Sequence, residues 1–206
     1  ASFDLAIALG ILAASEAIDA GPLKKYVFLG ELSLDGAVQP ARGVLPIVFS
    51  LNRDEFSGVI VPSANAQEAA VCQTIPVYPM KHLNEIVSFL SQPETSRPYR
   101  IDPASFLEQA SRHAIDFADV KGQFMVKRGL EVAAAGGHNV VMIGPPGSGK
   151  TMLARRLPTI LPDLTLEESL ETTKIHSIAG LLPHQYGLIA RRPFRSPHHT
   201  CSDIAL

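Results

Sequence analysis

Apolar residues along this chain recur at two spacings, and the alternation between them sorts it into helices and strands. Ser2 to Ala17 (SFDLAIALGILAASEA) is rich in Ala, Leu and Ile with apolar residues nearly all round, which predicts a buried helix. Tyr26 to Leu34 reads as a strand, and Asp35-Gly36 predicts a hairpin turn before Ala37 to Gln39. Val44 to Leu51 predicts a helix that tolerates Pro46 in its first turn. A strand at Gly58 to Val61 and a helix capped by Ser63 and running toward Val71 come next. Ile75 to Tyr78 predicts another strand, and Leu83, Ile86, Val87 and Leu90 have helical spacing within His82 to Leu90. Strands alternating with helices predict an open α/β layer.

The periodicity lapses from Ser91 to Pro103 (SQPETSRPYRIDP), where three prolines argue for a linker. Residues 1–92 and 105–206 are read as two domains joined by 93–104. Ala104 to Ala114 predicts a helix, Asp116 to Gly122 (DFADVKG) a loop, and Gln123 to Ala135 a helix stopped by Gly136-Gly137. Asn139 to Ile143 is an apolar, β-branched run, the composition of a strand buried on both faces. Lys150 to Leu157 predicts a helix ended by Pro158 and Pro162, and Thr165 with Glu168 forms a capping box for a helix reaching about Ile178. Gly180 to Leu206 predicts loop and short strand.

The strongest chemistry lies between the predicted strand and helix. Gly144-Pro145-Pro146-Gly147-Ser148-Gly149-Lys150-Thr151 fits G-x-x-x-x-G-K-[ST]. Gly144, Gly147 and Gly149 let the backbone turn where side chains would collide, so successive N–H groups can face one concave space. Lys150 is placed to reach the β- and γ-phosphates of a nucleotide, and the Thr151 hydroxyl to ligate Mg²⁺. The helix that follows points the positive end of its dipole at the same anion. A strand before the loop and a helix after it argue against a chance glycine turn.

Composition narrows the class. The 206 residues are 46% hydrophobic and 18% charged, a globular balance rather than a disordered one. No apolar run has the length of a membrane span, and no membrane partner is expected. Ala1 to Ala20 lacks a basic leader, so no signal peptide is read there, and the start looks cut from a longer chain. Cys72 and Cys201 are too few for a disulfide framework, which suits a cytoplasmic location. Residues 1–104 carry 7 Lys/Arg against 11 Asp/Glu and residues 105–206 carry 11 against 9, so neither half announces nucleic acid by charge alone.

The run Arg191-Arg192-Pro193-Phe194-Arg195-Ser196-Pro197-His198-His199 gathers three guanidiniums and two imidazoles about one aromatic ring. Phosphate contacts with stacking suit single-stranded DNA, while the other reading of the same residues is a loop whose arginines pair with acidic residues of a neighbouring subunit. His198, His199 and Cys201 do not make a metal site, because adjacent side chains diverge and no second pair stands at zinc spacing. His176 and His184 form no pattern. Arg155 and Arg156 read as a solvated face or a subunit contact.

DFADVKGQ (Asp116–Gln123), LEVAAAGGHNVVMIGPPGSGKTMLARRLPTILP (Leu130–Pro162) and RRPFRSPHHTCSDIAL (Arg191–Leu206) closely resemble the magnesium-chelatase-subunit-I-like AAA+ ATPases, in their competence-protein branch. SFDLAIALGILAAS, FLGELSLDGAVQPARGVLPI and VIVPSANAQEAA resemble the Lon-protease-like domain that precedes the ATPase module in that branch. The resemblance implies an α/β chain: the later portion of a Lon-protease-like domain, then the start of a P-loop AAA+ domain whose parallel sheet is flanked by helices. It implies ATP and Mg²⁺ as cofactors and a homo-oligomeric ring, a hexamer, that acts on DNA as a branch-migration helicase in natural transformation and recombination. It places Val120 and Gln123 near the adenine, where the residues alone read as a turn before a helix. Metal insertion of the chelatase kind, and a Lon-like protease or its regulator, are the alternatives.

Two departures qualify the resemblance. The Lon fold's serine falls at Ser2, but its lysine position is occupied by Leu45, and a serine without an amine base lacks activation. The domain is therefore read as non-proteolytic, with Lys24 or Lys25 the remote substitutes. No apolar strand ending in Asp-Glu follows Thr151 in these residues, so the 206-residue stretch by itself is expected to hydrolyse ATP negligibly.

Overall fold

The computed structural model describes residues 3–110, 115–182 and 187–197. In chain order the elements begin with helices α1 (Asp4–Ala14) and α2 (Ala20–Leu23), strands β1 (Tyr26–Phe28), β2 (Glu31–Leu32) and β3 (Val38–Gln39), and helix α3 (Val44–Ser50). Strand β4 (Gly58–Pro62), helix α4 (Ala66–Ala70), strand β5 (Val77–Met80) and helices α5 (Leu83–Ser91) and α6 (Pro103–Ala110) follow. The last three helices are α7 (Phe124–Gly136), α8 (Lys150–Arg156) and α9 (Leu166–Ile178). The chain divides into two compact units, Ala1–Ala110 with Leu166–Ile189 and Ser111–Thr165 with Ala190–Leu206.

The first unit is α/β. Its sheet runs β1-β4-β5, all parallel, with Tyr26 opposite Gly58 and Val59 opposite Val77. All five residues of the central strand β4 are buried, as a strand covered on both faces requires. Because side chains alternate, Ile60 points to one face and Val59 and Val61 to the other. Leu5 and Leu9 of α1 and Ile86, Phe89 and Leu90 of α5 pack with Ile60. Val44 and Val48 of α3 and Ala69 and Ala70 of α4 pack with Val59 and Val61. Helices thus flank a parallel sheet on both sides.

Two sequence expectations shift here. The helix predicted as buried nearly all round buries only Leu5 and Leu9, while Ile7 and Ile11 are 58% and 62% exposed, because one face alone meets the sheet. The strand predicted over Tyr26–Leu34 is split at Gly30, whose φ of +138° breaks the ladder. A Cβ there would lie 2.9 Å from Val38 Cγ1, so the break needs glycine. Beyond it β2 and β3 form the predicted hairpin, with Glu31 opposite Gln39. His82 pins its tip: Nε2 donates to Asp35 O (2.9 Å) while Nδ1 accepts from Asn84 N (3.2 Å) and caps α5.

The residues expected as a linker, 93–104, lie within the first unit, as does Leu166–Ile189. Tyr99 N donates to Val77 O (2.8 Å) and Ile101 packs on the α3–α4 face. Helix α9 contacts α3 and buries a stripe of hydroxyls, Ser169, Thr173 and Ser177. Ser169 Oγ donates to Ile189 O, and Thr173 Oγ1 accepts from Ile189 N. Ser177 Oγ donates to Glu68 Oε1 (2.5 Å).

The second unit holds α7, α8 and a small cluster of Phe117, Val120, Leu130 and Leu153. The strand expected at Asn139–Ile143 is not formed; Val141 and Ile143 are 85% and 94% exposed. A parallel strand exists only by pairing, and among the described residues this unit offers no second strand. No helix of the described residues is long and apolar enough to cross a membrane.

Glu68 organises the packing of α3 and α9 on α4. Its Oε1 accepts from Leu45 N (3.0 Å) as well as from Ser177, and Oε2 accepts from Asn65 Nδ2 (2.8 Å). Removing it leaves three buried donors unanswered. Glu68→Ala is expected to lower the stability of the first unit by about 2–3 kcal/mol, read as a lower urea midpoint by circular dichroism; an unchanged midpoint contradicts this role.

Candidate functional site

The glycine-rich loop of the second unit is shaped by two residues in the left-handed region. Gly147 has φ +80° and Gly149, the residue before α8, has φ +88°. Gly144 does not adopt positive φ; a Cβ there would stand 3.1 Å from Ser148 Oγ, so its demand is for space. Ser148 N donates to Pro145 O (3.3 Å), closing the turn, and Leu153 N to Gly149 O (2.9 Å), starting the helix. Pro145 and Pro146 are exposed.

Lys150 folds back over this loop. Its Nζ donates to Gly144 O and Pro145 O, both at 2.8 Å, and to Ser148 Oγ at 3.2 Å. All three acceptors are neutral, so Lys150 can exchange dipoles for a full negative charge when an anion enters the loop. Thr151 is exposed on the first turn of α8, one residue on from the lysine.

Beside the loop opens a cleft of about 480 Å³. Val126, Gly129 and Leu130 of α7 and Val140 supply its apolar wall, while Gln123, Ser148 and Lys150 supply the polar end. Gln123 takes an unusual φ of +53° at the start of α7. A Cβ on Gly149 would come within 3.3 Å of Gln123 Nε2, which places the carboxamide against the loop. Val120 is placed differently: it is buried with Phe117, Leu130 and Leu153, and its carbonyl accepts from Lys127 Nζ (3.3 Å). The structure therefore brings Gly144–Thr151 and Gln123 together and sets Val120 beneath them as core.

Several supporting residues have no motif. Asp116 and Asp119 cap the turn reciprocally, Ala118 N donating to Asp116 and Asp116 N to Asp119. Arg156 Nε donates to Asp116 O (3.0 Å), and Phe117 N donates to Thr159 Oγ1 (3.0 Å). Arg156, read as solvated or intersubunit, is thus tied to the Asp116 turn. The D-x-x-D spacing is the one signal that could have located this brace.

The other candidates separate. Arg192 Nε donates to Pro162 O (2.7 Å), while Phe194 is 43% exposed and Arg195 exposed. His184, His198, His199, Cys201 and Ser2 lie outside the described residues. Leu45, at the lysine position of the Lon resemblance, is fully buried with Val71 and Leu188. Lys24 and Lys25 are exposed. Burial pushes the Cys72 thiol up to about 12, so it stays protonated near neutral pH. Among the described residues no group of three or more His, Cys, Asp or Glu could hold a metal ion.

Residues 116–206 match the family model described as magnesium chelatase, subunit ChlI, and residues 1–65 match a second, subunit ChlI of Mg-chelatase. Similar chains include the competence protein ComM of Haemophilus influenzae, 39% identical over 207 residues, and the protein YifB of Escherichia coli, 41% identical over 206. An uncharacterized protein of Mycobacterium tuberculosis is 45% identical over 204 residues. Each alignment covers 99% of this chain but only 40%, 39% and 40% of the respective relative, so the chain spans about two fifths of their length. With both ends of the chain matched to the same chelatase subunit and nearly all of it to ComM and YifB, the chain belongs to the magnesium-chelatase-subunit-ChlI-like family, of the ComM/YifB type.

Proposed function

We propose that this chain binds ATP with Mg²⁺ and forms part of an AAA+ motor that works on DNA. The observation that carries the reading is Lys150 held by neutral acceptors at the mouth of a loop whose two left-handed glycines precede a helix. The backbone N–H groups of Gly147 to Lys150 would cradle the β-phosphate, Pro145 and Pro146 having none to give, with the α8 dipole adding to the attraction. Lys150 would exchange its carbonyl partners for phosphate oxygens, and the exposed Thr151 hydroxyl would hold Mg²⁺. Bound ATP supplies the phosphoanhydride whose hydrolysis drives the motor, and Mg²⁺ neutralises its charge. Gln123 stands beside the loop to contact the nucleotide, while Val120 supports the wall from below.

DNA as the partner is supported by the family resemblance and by the competence protein among the similar chains. The exposed Phe194 and Arg195 offer stacking and charge for it. A hexameric ring is the assembly the resemblance implies. The complete burial of Leu45 argues against a Lon-type serine–lysine dyad. Metal insertion is the competing reading, supported by the match of residues 116–206 to a chelatase subunit.

Gly149→Ala forces a Cβ into a left-handed position and is expected to weaken ATP binding by roughly tenfold, measured with a fluorescent nucleotide; equal affinity contradicts the cradle. In the full-length protein, DNA should stimulate ATP hydrolysis and Lys150→Ala should abolish it. Stimulation by a metal–porphyrin system and indifference to DNA would favour the chelatase reading. Arg195→Ala should reduce the salt slope of DNA binding by about one, and an unchanged slope removes that residue from the interface.

A further inference from the structure

The first unit contains a separate cleft of about 310 Å³, where the start of β5 faces residues 98–101. Its floor is apolar, formed by Ala70, Ile75 and Val77, each 5% exposed or less. Its rim carries donors. Arg53 is anchored by Nε to Thr74 O (2.6 Å) and by Nη2 to Gln73 O (3.0 Å), which fixes the guanidinium plane and leaves Nη1 uncommitted. Tyr99 is held by its backbone to Val77 O (2.8 Å), with its ring half-buried against the apolar cluster. Among the described residues, neither the Tyr99 hydroxyl nor the exposed Arg100 guanidinium has a hydrogen-bond or ion-pair partner. Among the described residues no carboxylate lines the cleft. The neighbouring Asp102 accepts from Ala104 N and Ser105 N at the start of α6.

A rim of two guanidiniums and a phenol above an apolar floor matches an anionic head on a flat, weakly polar body. A phosphate would accept from Arg53 Nη1 and from the open fork of Arg100, and a heteroaromatic ring would lie on the floor beside Tyr99. The surrounding charge selects between a single ligand and a polymer. The first unit carries 8 Lys/Arg against 15 Asp/Glu, a field that repels an extended polyanion while two local arginines still hold one phosphate. We propose that this cleft, lined by Arg53, Tyr99 and Arg100, binds a free nucleoside monophosphate. The site is built wholly from residues of the first unit and does not depend on the reading of the glycine loop.

The test is calorimetric titration of the whole chain with AMP, using Lys150→Ala as the background so that the glycine loop is removed from the comparison. AMP should bind roughly tenfold more tightly than adenosine or inorganic phosphate, since each of these satisfies only one half of the cleft. Arg100→Ala and Tyr99→Ala should each weaken AMP by roughly fivefold or more, while Tyr99→Phe, which keeps the ring, should lose less. The proposal is overturned if AMP shows no binding at millimolar concentration, binds no better than phosphate, or is unaffected by Arg100→Ala. Tighter binding of an oligothymidylate than of AMP overturns the choice of a free nucleotide. Loss of AMP binding in Lys150→Ala relative to the unsubstituted chain would move the nucleotide to the glycine loop and likewise overturn it.

Discussion

The ammonium of Lys150 hydrogen-bonded to two backbone carbonyls and a serine hydroxyl is the contact on which the functional reading rests. A full positive charge satisfied by neutral acceptors is in an exchangeable state. Carbonyl dipoles hold it weakly compared with an oxyanion, and the backbone already turns around the space such an anion would enter. Left-handed φ at Gly147 and Gly149 makes that turn possible, and at Gly149 the Gln123 carboxamide leaves little room for a Cβ. Backbone conformation, close packing and charge therefore converge on one point.

The loop is held in place by a brace rather than by a finished sheet. Asp116 and Asp119 cap one another's backbone, Arg156 ties that turn to the end of α8, and Thr159 receives Phe117 N. Phe117, Val120, Leu130 and Leu153 fill the space between. The cleft beside the loop follows from this arrangement, lined by α7 and by the 140–145 segment. In the first unit, Glu68 does comparable work by answering donors from α3, α9 and Asn65 with one carboxylate.

What the sequence disclosed depended on how local the cause was. The glycine spacing, the Gly137 stop of α7 and the Asp35-Gly36 hairpin are set within a few residues, and all three stand where the pattern put them. The strand at Gly58–Val61 was legible as a short apolar run, and its burial on both faces came from the partners the fold gives it. Partner-dependent features were not legible. Asn139–Ile143 has strand composition but no strand beside it, and α1 carries apolar residues round its circumference yet meets the sheet on one side. The grouping of α9 with the first unit turns on the Ser169, Thr173 and Ser177 stripe, whose polar composition gives no hydrophobic period to read. Val120 and Gln123 sit three residues apart, and only packing shows that one is core and the other faces the loop.

The central claim is that the backbone amides of this loop receive phosphate oxygens. The most direct measurement is the set of backbone amide resonances of the ¹⁵N-labelled chain during addition of a non-hydrolysable ATP analogue with Mg²⁺. The account predicts that the largest shifts fall on Gly147, Ser148, Gly149, Lys150 and Thr151, with the resonances of α1 and β2 unmoved. Saturating analogue that leaves those five amides in place, or that shifts only residues of the first unit, would contradict it.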